Sequence, residues 1–363
     1  MNRERDTVVW LNSIGVYSDA IDKLKSYLGD ITEIHEMKQS DLSGLGILSS
    51  GALTRIAKSD FKSTIDAYYE SLATLGFDVI TIYDTDYPQE LLDIPDRPMV
   101  LYKKGEILPS DHISMGIVGS RKATNYGKWA AERFARELVN LGVTIVSGMA
   151  AGIDSIAHRT ALENSGRTIG ILGNGLDNTY PKSNSRLYKD VVDNGALISE
   201  FPPGTPPYNF HFPMRNRIIS GLSLGVIVVE AQERSGSLIT AHHALVQGKD
   251  VFAVPGNINS IYSKGTNMLI RDGAKPLLDM DDILEEVREL QLLKKTNDID
   301  RLNEADLSET EKKVLDYLKE GPVHSDLIVL RSGLDIQTVI STLTILELKG
   351  IIKEMSSRIF TIV

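Results

Sequence analysis

The residues best suited to chemistry are small ones, hydroxyls and cations gathered where an apolar run gives way to a helical pattern. In Gly116-Ile117-Val118-Gly119-Ser120-Arg121-Lys122, small side chains let backbone N–H groups approach a phosphate. Arg121 and Lys122 supply charge, the arginine through a two-pronged fork. A tight turn with a solvated arginine gives the same pattern, so the placement carries the inference rather than the triplet. Ser147-Gly148-Met149-Ala150-Ala151-Gly152-Ile153-Asp154 occupies the next such junction, and Gly173-Asn174-Gly175, followed by Lys182 and Asn184, the one after. Three such loops point to one crevice at the carboxyl ends of parallel strands. A further small-residue loop, Arg234-Ser235-Gly236-Ser237, opens another helix. Asp154 and His158 lie four residues apart and can share a helix face. They read as a helix-start carboxylate orienting a histidine, with a metal pair as the lesser alternative.

A different signal comes from residues 180–217. Five of the chain's 13 prolines fall between Pro202 and Pro213, which makes a stiff excursion. Six aromatics, Tyr180, Tyr188, Phe201, Tyr208, Phe210 and Phe212, are interleaved with Lys182, Arg186, Lys189, Arg215 and Arg217, and Asn216 lies between the last two. Rings and cations in this mixture suit stacking on unpaired bases. Rings filling the core beneath a proline loop would read the same way, and a mixture of the two is open. No Gly-x-x-x-x-Gly-Lys-Ser/Thr loop, Gly-x-Ser-x-Gly elbow or His-Glu-x-x-His occurs. Adjacent His242 and His243 point to different helix faces. No nucleophile and base pair stands out.

The elements that must hold these loops follow from periodicity. Residues 1–76 show apolar spacings of three and four and read as a helical domain; Leu42–Ile47 forms either a helix-hairpin-helix turn able to hold a phosphate or a simple connection. From 77 to 289, apolar runs at 79–83, 114–118, 144–147, 167–172, 196–199, 224–230 and 250–254 alternate with helical stretches at 127–141, 155–164 and 240–247. Runs apolar throughout, separated by helices, predict a parallel α/β sheet covered on both faces. Residues 290–306 are polar and read as a linker. Ser308 to Glu311 fits a capping box, and three helical patterns at 309–319, 325–331 and 336–349 precede a hairpin-like tail at 351–363. Residues 307–363 thus form a winged-helix pattern.

The chain of 363 residues carries 39 Lys and Arg against 49 Asp and Glu, a formal charge of −10. Alone this disfavours a nucleic-acid coat, yet residues 115–225 balance at +4 and the remainder at −14. A localised anionic ligand is therefore expected. With no cysteine, disulfides, thiol catalysis and cysteine metal sites are excluded. No long apolar stretch suggests a signal peptide or membrane span, so a cytoplasmic protein is expected.

Several ordered motifs together resemble the DNA-processing protein A, or Smf, family: Asp86-Tyr87-Pro88, Gly119-Ser120-Arg121, Gly152-Ile153-Asp154, Tyr180-Pro181, Phe212-Pro213, Arg215-Asn216-Arg217 and Val254-Pro255-Gly256. The resemblance covers nearly the whole chain. It implies an N-terminal SAM-like helical domain, an extended Rossmann-like core and a winged-helix tail. It further implies a homodimer joined through the Rossmann core that binds single-stranded DNA during natural transformation and delivers it to the RecA recombinase, without catalysis, cofactor or metal. Arg121 becomes the phosphate-binding arginine and Lys182 a second strand contact. The expected DNA-binding set is Gly119, Ser120, Arg121, Lys122, Ser147, Gly148, Lys182, Asn184, Phe210, Arg215, Asn216 and Arg217. The rival is a phosphoribohydrolase-like nucleotide enzyme of the related Rossmann class, disfavoured because Arg234–Ala241 lacks that loop's glutamate. A duplex-DNA regulator acting through the winged helix is disfavoured because its third helix has only Lys349 as a cation.

Overall fold

The computed structural model describes residues 3–304, 307–319, 321–356 and 358–362. Ala305 and Asp306 of the expected linker, and Ser357 and Val363 of the expected tail, lie outside these. Contacts divide the chain into a unit ending at Gln291 and another beginning at Leu292.

The first unit opens with five helices, α1 (Arg3–Ser13), α2 (Ser18–Leu28), α3 (Gln39–Gly44), α4 (Ser50–Lys58) and α5 (Phe61–Leu75). Side chains cap the starts of α4 and α5: the Ser49 hydroxyl accepts from the Ala52 N–H at 3.2 Å and the Asp60 carboxylate from the Ser63 N–H at 3.0 Å. Their apolar faces do not close on themselves. Val8, Leu11, Ile21 and Leu24 join Val100, Tyr102 and Leu197 of the sheet in one buried cluster.

The sheet has nine strands: β1 (Asp78–Thr81), β2 (Val100–Gly105), β3 (Ser114–Val118), β4 (Thr144–Ser147), β5 (Thr168–Leu172), β6 (Gly195–Ser199), β7 (Gly225–Val228), β8 (Asp250–Ala253) and β9 (Lys275–Pro276). Their spatial order is β1-β2-β6-β5-β4-β3-β7-β8-β9. Pairs β1/β2 and β2/β6 are antiparallel and the others parallel. Strands β3 to β6 are buried along their whole length, which explains their unbroken apolar or small-residue runs. The connecting helices are α6 (Asn125–Asn140), α7 (Ile153–Glu163), α8 (Ser185–Asp193), α9 (His211–Leu222), α10 (Gly236–Val246), α11 (Lys264–Arg271) and α12 (Asp281–Glu286). From β3 the chain steps outward to β4, β5 and β6, then returns to place β7, β8 and β9 on β3's other side. Right-handed crossovers therefore put α6 and α7 on one face and α9 and α10 on the other. The order reverses between β3 and β7, and the crevice of such a sheet opens there.

The stretch read as a linker is helical: α13 runs Arg288–Glu304. The second unit then forms α14 (Glu309–Leu318), β10 (Val323–His324), α15 (Ser325–Ser332), α16 (Ile336–Leu348), β11 (Ile352–Ser356) and β12 (Ile359–Ile362), with the three strands in one small sheet. This is a winged helix with its own core of Val314, Leu315, Ile328, Val339, Leu343 and Leu346. Its start is the expected capping box: Ser308 N–H donates to Glu311 Oε2 at 2.7 Å and Glu311 N–H to Ser308 Oγ at 3.2 Å.

Candidate nucleic-acid interface

At the reversal between β3 and β7 lies a cleft of about 550 Å³, lined by Gly119, Ser120, Arg121 and Lys122 from the end of β3, Phe212, Arg215 and Asn216 from α9, and Ser235 to Ser237 from the start of α10. Its floor is built by close backbone approaches. A Cβ at Gly119 would lie 2.7 Å from the Ile153 side chain and 3.1 Å from the Glu230 carbonyl. Gly152 holds φ at +81°, and a Cβ there would collide with the Ser120 carbonyl. The Ile153 N–H donates to that carbonyl at 3.1 Å. The loops after β3 and β4 are thus one packed surface. Ser120 Oγ closes the first turn on itself, accepting from the Lys122 N–H and donating to the Lys122 carbonyl, both at 3.1 Å. Buried Glu230, at the end of β7, accepts from the Thr124 N–H at 3.0 Å and the Thr124 hydroxyl at 2.5 Å, and that hydroxyl caps α6 through Gly127 N–H at 3.1 Å.

The cations divide into outer and inner ones. Arg121 is exposed and has no hydrogen-bond or ion-pair partner among the described residues; its guanidinium sits 5.5 Å from the Phe212 ring centroid. Phe212 in turn stacks on exposed Tyr180 at 5.5 Å and 29°. Phe212 thus links a charged arginine of the cleft to an exposed ring beside it. Arg215 lies buried beneath, donating to the Gly148 carbonyl at 2.7 Å and the Asn216 amide oxygen at 3.3 Å. Burial pulls its guanidinium down to about 10, against the attraction of Asp154, so it stays charged at neutral pH. Burial pushes the Asp154 carboxyl up, against Arg215. A cleft with loose cations at the rim and a fixed one below is suited to a phosphodiester and adjacent bases. Among the described residues, no group of three or more His, Asp or Glu is placed to hold a metal ion.

A family model described as "DNA recombination-mediator protein A" matches residues 78–288, and one for the DprA winged helix domain matches 301–356. The chain belongs to the DNA recombination-mediator protein A family. It is 42% identical over 251 residues to the DNA processing protein DprA of Bacillus subtilis, covering 67% of this chain and 84% of that protein. It is 35% identical over 355 residues to Protein Smf of Escherichia coli, covering 95% and 93%. Among solved structures, DprA of Streptococcus pneumoniae superposes with a TM-score of 0.69 at 36% identity, covering 78% of this chain and 98% of that one. DprA of Helicobacter pylori, described for its single-stranded DNA binding mode, gives 0.53 at 31% identity, covering 59% and 96%. The family is described as a recombination mediator, which is a binding role.

Within this DprA-family fold the expected site residues part company. Gly119, Ser120, Arg121, Lys122, Arg215 and Asn216 converge on the cleft. Ser147 does not reach it: its buried hydroxyl donates to the Ile117 carbonyl at 2.5 Å and ties β4 to β3. Gly148 is packing, with Arg215 Nη2 and Asp154 Oδ2 each 2.7 Å from where a Cβ would stand. Asn184 is buried and donates to the Met149 carbonyl at 2.9 Å and Ser155 Oγ at 2.8 Å. Arg217 faces away, paired with buried Glu200 at 2.7 Å and donating to the Asp96 carbonyl at 2.7 Å. Lys182 is exposed but outside the cleft lining, as is Phe210, which stacks on Tyr208 at 5.5 Å and 8°. The aromatic stretch is a mixture: Phe201 and Tyr188 fill the core, whereas Tyr180, Tyr208 and Phe210 are open. Asp154 does not orient His158, whose Nδ1 meets Thr168 Oγ1 at 2.6 Å. Phe212 and Gln232 belong to the cleft lining but not to the expected DNA-binding set. The sequence offers Phe212 as one of six interleaved aromatics and in the Phe212-Pro213 motif, and gives no signal for Gln232.

Proposed function

We propose that this chain binds single-stranded DNA at the switch-point cleft and passes the strand to the RecA recombinase during natural transformation, acting in the cytoplasm as a homodimer. The carrying observation is Arg121 of that cleft, exposed and with no polar partner among the described residues, beside the Phe212 ring that stacks on Tyr180. Phosphates would meet Arg121, Lys122 and the small-residue loop, and a base would stack on the exposed Tyr180 ring. The name of the Helicobacter pylori relative's structure supports the ligand class. Lys182 is the second outer cation in this reading.

The winged helix is assigned to protein docking. Its α16 exposes Ile336, Ile340 and Leu348, and Lys349, the cation just past its end, is tied to Glu311 at 2.6 Å. A duplex reader needs free cations there.

The test is an oligonucleotide mobility shift across a salt series. Arg121→Ala is expected to weaken binding at least tenfold and to flatten the slope of log K against log salt by about 0.7, one single-strand phosphate. Arg121→Lys restores charge but not the fork, and recovers part of the loss. Unchanged affinity in both Arg121→Ala and Lys182→Ala would remove the site. Release of free base from nucleoside monophosphates would favour the nucleotide-enzyme reading instead. Light scattering reports the dimer, and recombinase ATPase on protein-coated strand reports delivery.

A further inference from the structure

We infer that Tyr126 and Trp129 on the outer face of α6 form a second base-stacking platform, which receives an unpaired base of the strand after it leaves the cleft; this rests on the single-stranded DNA reading above. The two rings are 45% and 52% exposed and stack on each other at 5.9 Å and 27°. They are held in place. The Tyr126 hydroxyl donates to the Pro255 carbonyl at 2.8 Å. The Arg133 guanidinium lies 5.7 Å from the Trp129 ring centroid and is itself fixed by Glu137 at 2.9 Å and the Leu278 carbonyl at 3.1 Å. A ring already fixed in place loses little freedom when a base stacks on it.

Charge chooses the occupant. Residues 121–137 contain five Lys or Arg against Glu132 and Glu137, a balance of +3, in a chain whose total is −10. Lys122, Lys128 and Arg136 are exposed. The remaining exposed positions of α6 are polar, so the platform is two rings in a cationic field rather than an aliphatic patch. That combination fits an unpaired base with its phosphates. The platform follows the cleft along the chain: Arg121 and Lys122 end the phosphate loop, Tyr126 stands in the first turn of the helix after it, and Trp129 lies about 6 Å along the helix axis from Asn125 at 1.5 Å per residue.

The chain has two tryptophans, and Trp10 is buried at 3% exposure, so emission lost between wild type and Trp129→Phe belongs to the platform. Full-length protein is titrated with labelled oligothymidylates from about 6 to 30 nucleotides while anisotropy and tryptophan emission are read together. Saturation with the longer strands is expected to quench the Trp129 component by more than half. Trp129→Ala should weaken the longer strands about tenfold, one stacked base, with Trp129→Phe retaining most of the affinity. Arg121→Ala should weaken every length. Binding by anisotropy with unchanged Trp129 emission and unchanged Trp129→Ala affinity overturns the platform and leaves the cleft reading standing. Absence of any anisotropy rise overturns both. A Trp129 emission change that follows protein concentration without DNA assigns the face to a second copy of the chain and overturns the platform.

Discussion

Burying a guanidinium costs several kcal/mol unless its N–H groups find acceptors, and Arg215 finds the Gly148 carbonyl and the Asn216 amide. The absence of a side chain at 148 is what lets Arg215 and Asp154 approach each other across the backbone. Gly148→Ala would place a methyl 2.7 Å from both groups, and neither is a free chain end that can swing away. The expected cost is about 1 to 3 kcal/mol in urea unfolding, with weakened strand binding as Arg215 shifts. A second buried group sets an acid limit. The Thr168 hydroxyl donates to the Ile145 carbonyl at 2.8 Å, so it accepts from His158, which places the imidazole proton on Nδ1 and leaves Nε2 without a hydrogen-bond partner among the described residues. Burial first, and the charge of Arg215 second, hold this imidazole down to about 3. The folded chain refuses a proton that the unfolded chain accepts near 6.5, so stability falls as pH drops below 6.5 toward 3. Between pH 7.5 and 5.5 this amounts to ~1.4 kcal/mol. His158→Gln should show a loss smaller by that amount over the same interval, measured by urea unfolding at the two pH values.

Among the elements, the start of α6 depends on a residue far away in sequence. Glu230 at the end of β7 takes the Thr124 N–H and hydroxyl, and a Cβ at Gly127 would collide with the Glu230 carboxylate. Gly127→Ala is therefore expected to expel that carboxylate, lower stability by about 1 to 3 kcal/mol and loosen the Arg121 loop, read as a joint loss of melting temperature and oligonucleotide affinity. The long-range pair Thr124–Glu230 leaves no periodic trace, which is why the loop was legible and its anchor was not. The central strands were legible to the residue at β3 and β4 because both faces are covered, so short runs of apolar and small residues stand between glycines and polar turns. β2 was not: Val100-Leu101-Tyr102 passes directly into Lys103-Lys104-Gly105, and an antiparallel neighbour to β6 needs no continuous apolar run. The charge of residues 290–306 predicts a linker and gives no sign of its backbone, which is helical in α13 because Leu, Lys, Arg and Glu are good helix formers. The polar residues of the expected DNA-binding set are ambiguous in a similar way. Ser147, Asn184 and Arg217 have the composition of ligand contacts, and only the fold shows that their donors turn inward. Arg121 and Lys122 were legible because a strand end just before a helix leaves a cation little but solvent or ligand.

At the scale of the whole molecule, the buried pair Glu200–Arg217 decides how the first unit unfolds. Glu200 stands just beyond the end of β6. Its Oε1 accepts from Ser18 at the start of α2 at 2.5 Å and from Arg217 of α9 at 2.7 Å, and its backbone carbonyl accepts from Asn12 of α1 at 3.2 Å. Ser18 Oγ also accepts from the Met99 N–H at 2.9 Å, and Tyr102 donates to Asn12 at 2.8 Å. A charged group at 1% exposure is tolerable only while these partners are in place, so the helical layer and the sheet cannot separate without stranding it. The layer and sheet should therefore melt as one transition, and the winged helix, with its own core, as another. Glu200→Gln leaves Arg217 buried without its counter-charge and is expected to cost about 3 to 5 kcal/mol. That loss should appear in the larger transition, followed by circular dichroism and calorimetry, with the smaller one unmoved. If the helical layer held itself together, Glu200→Gln would instead split off an early loss of helix while the sheet's transition stayed in place.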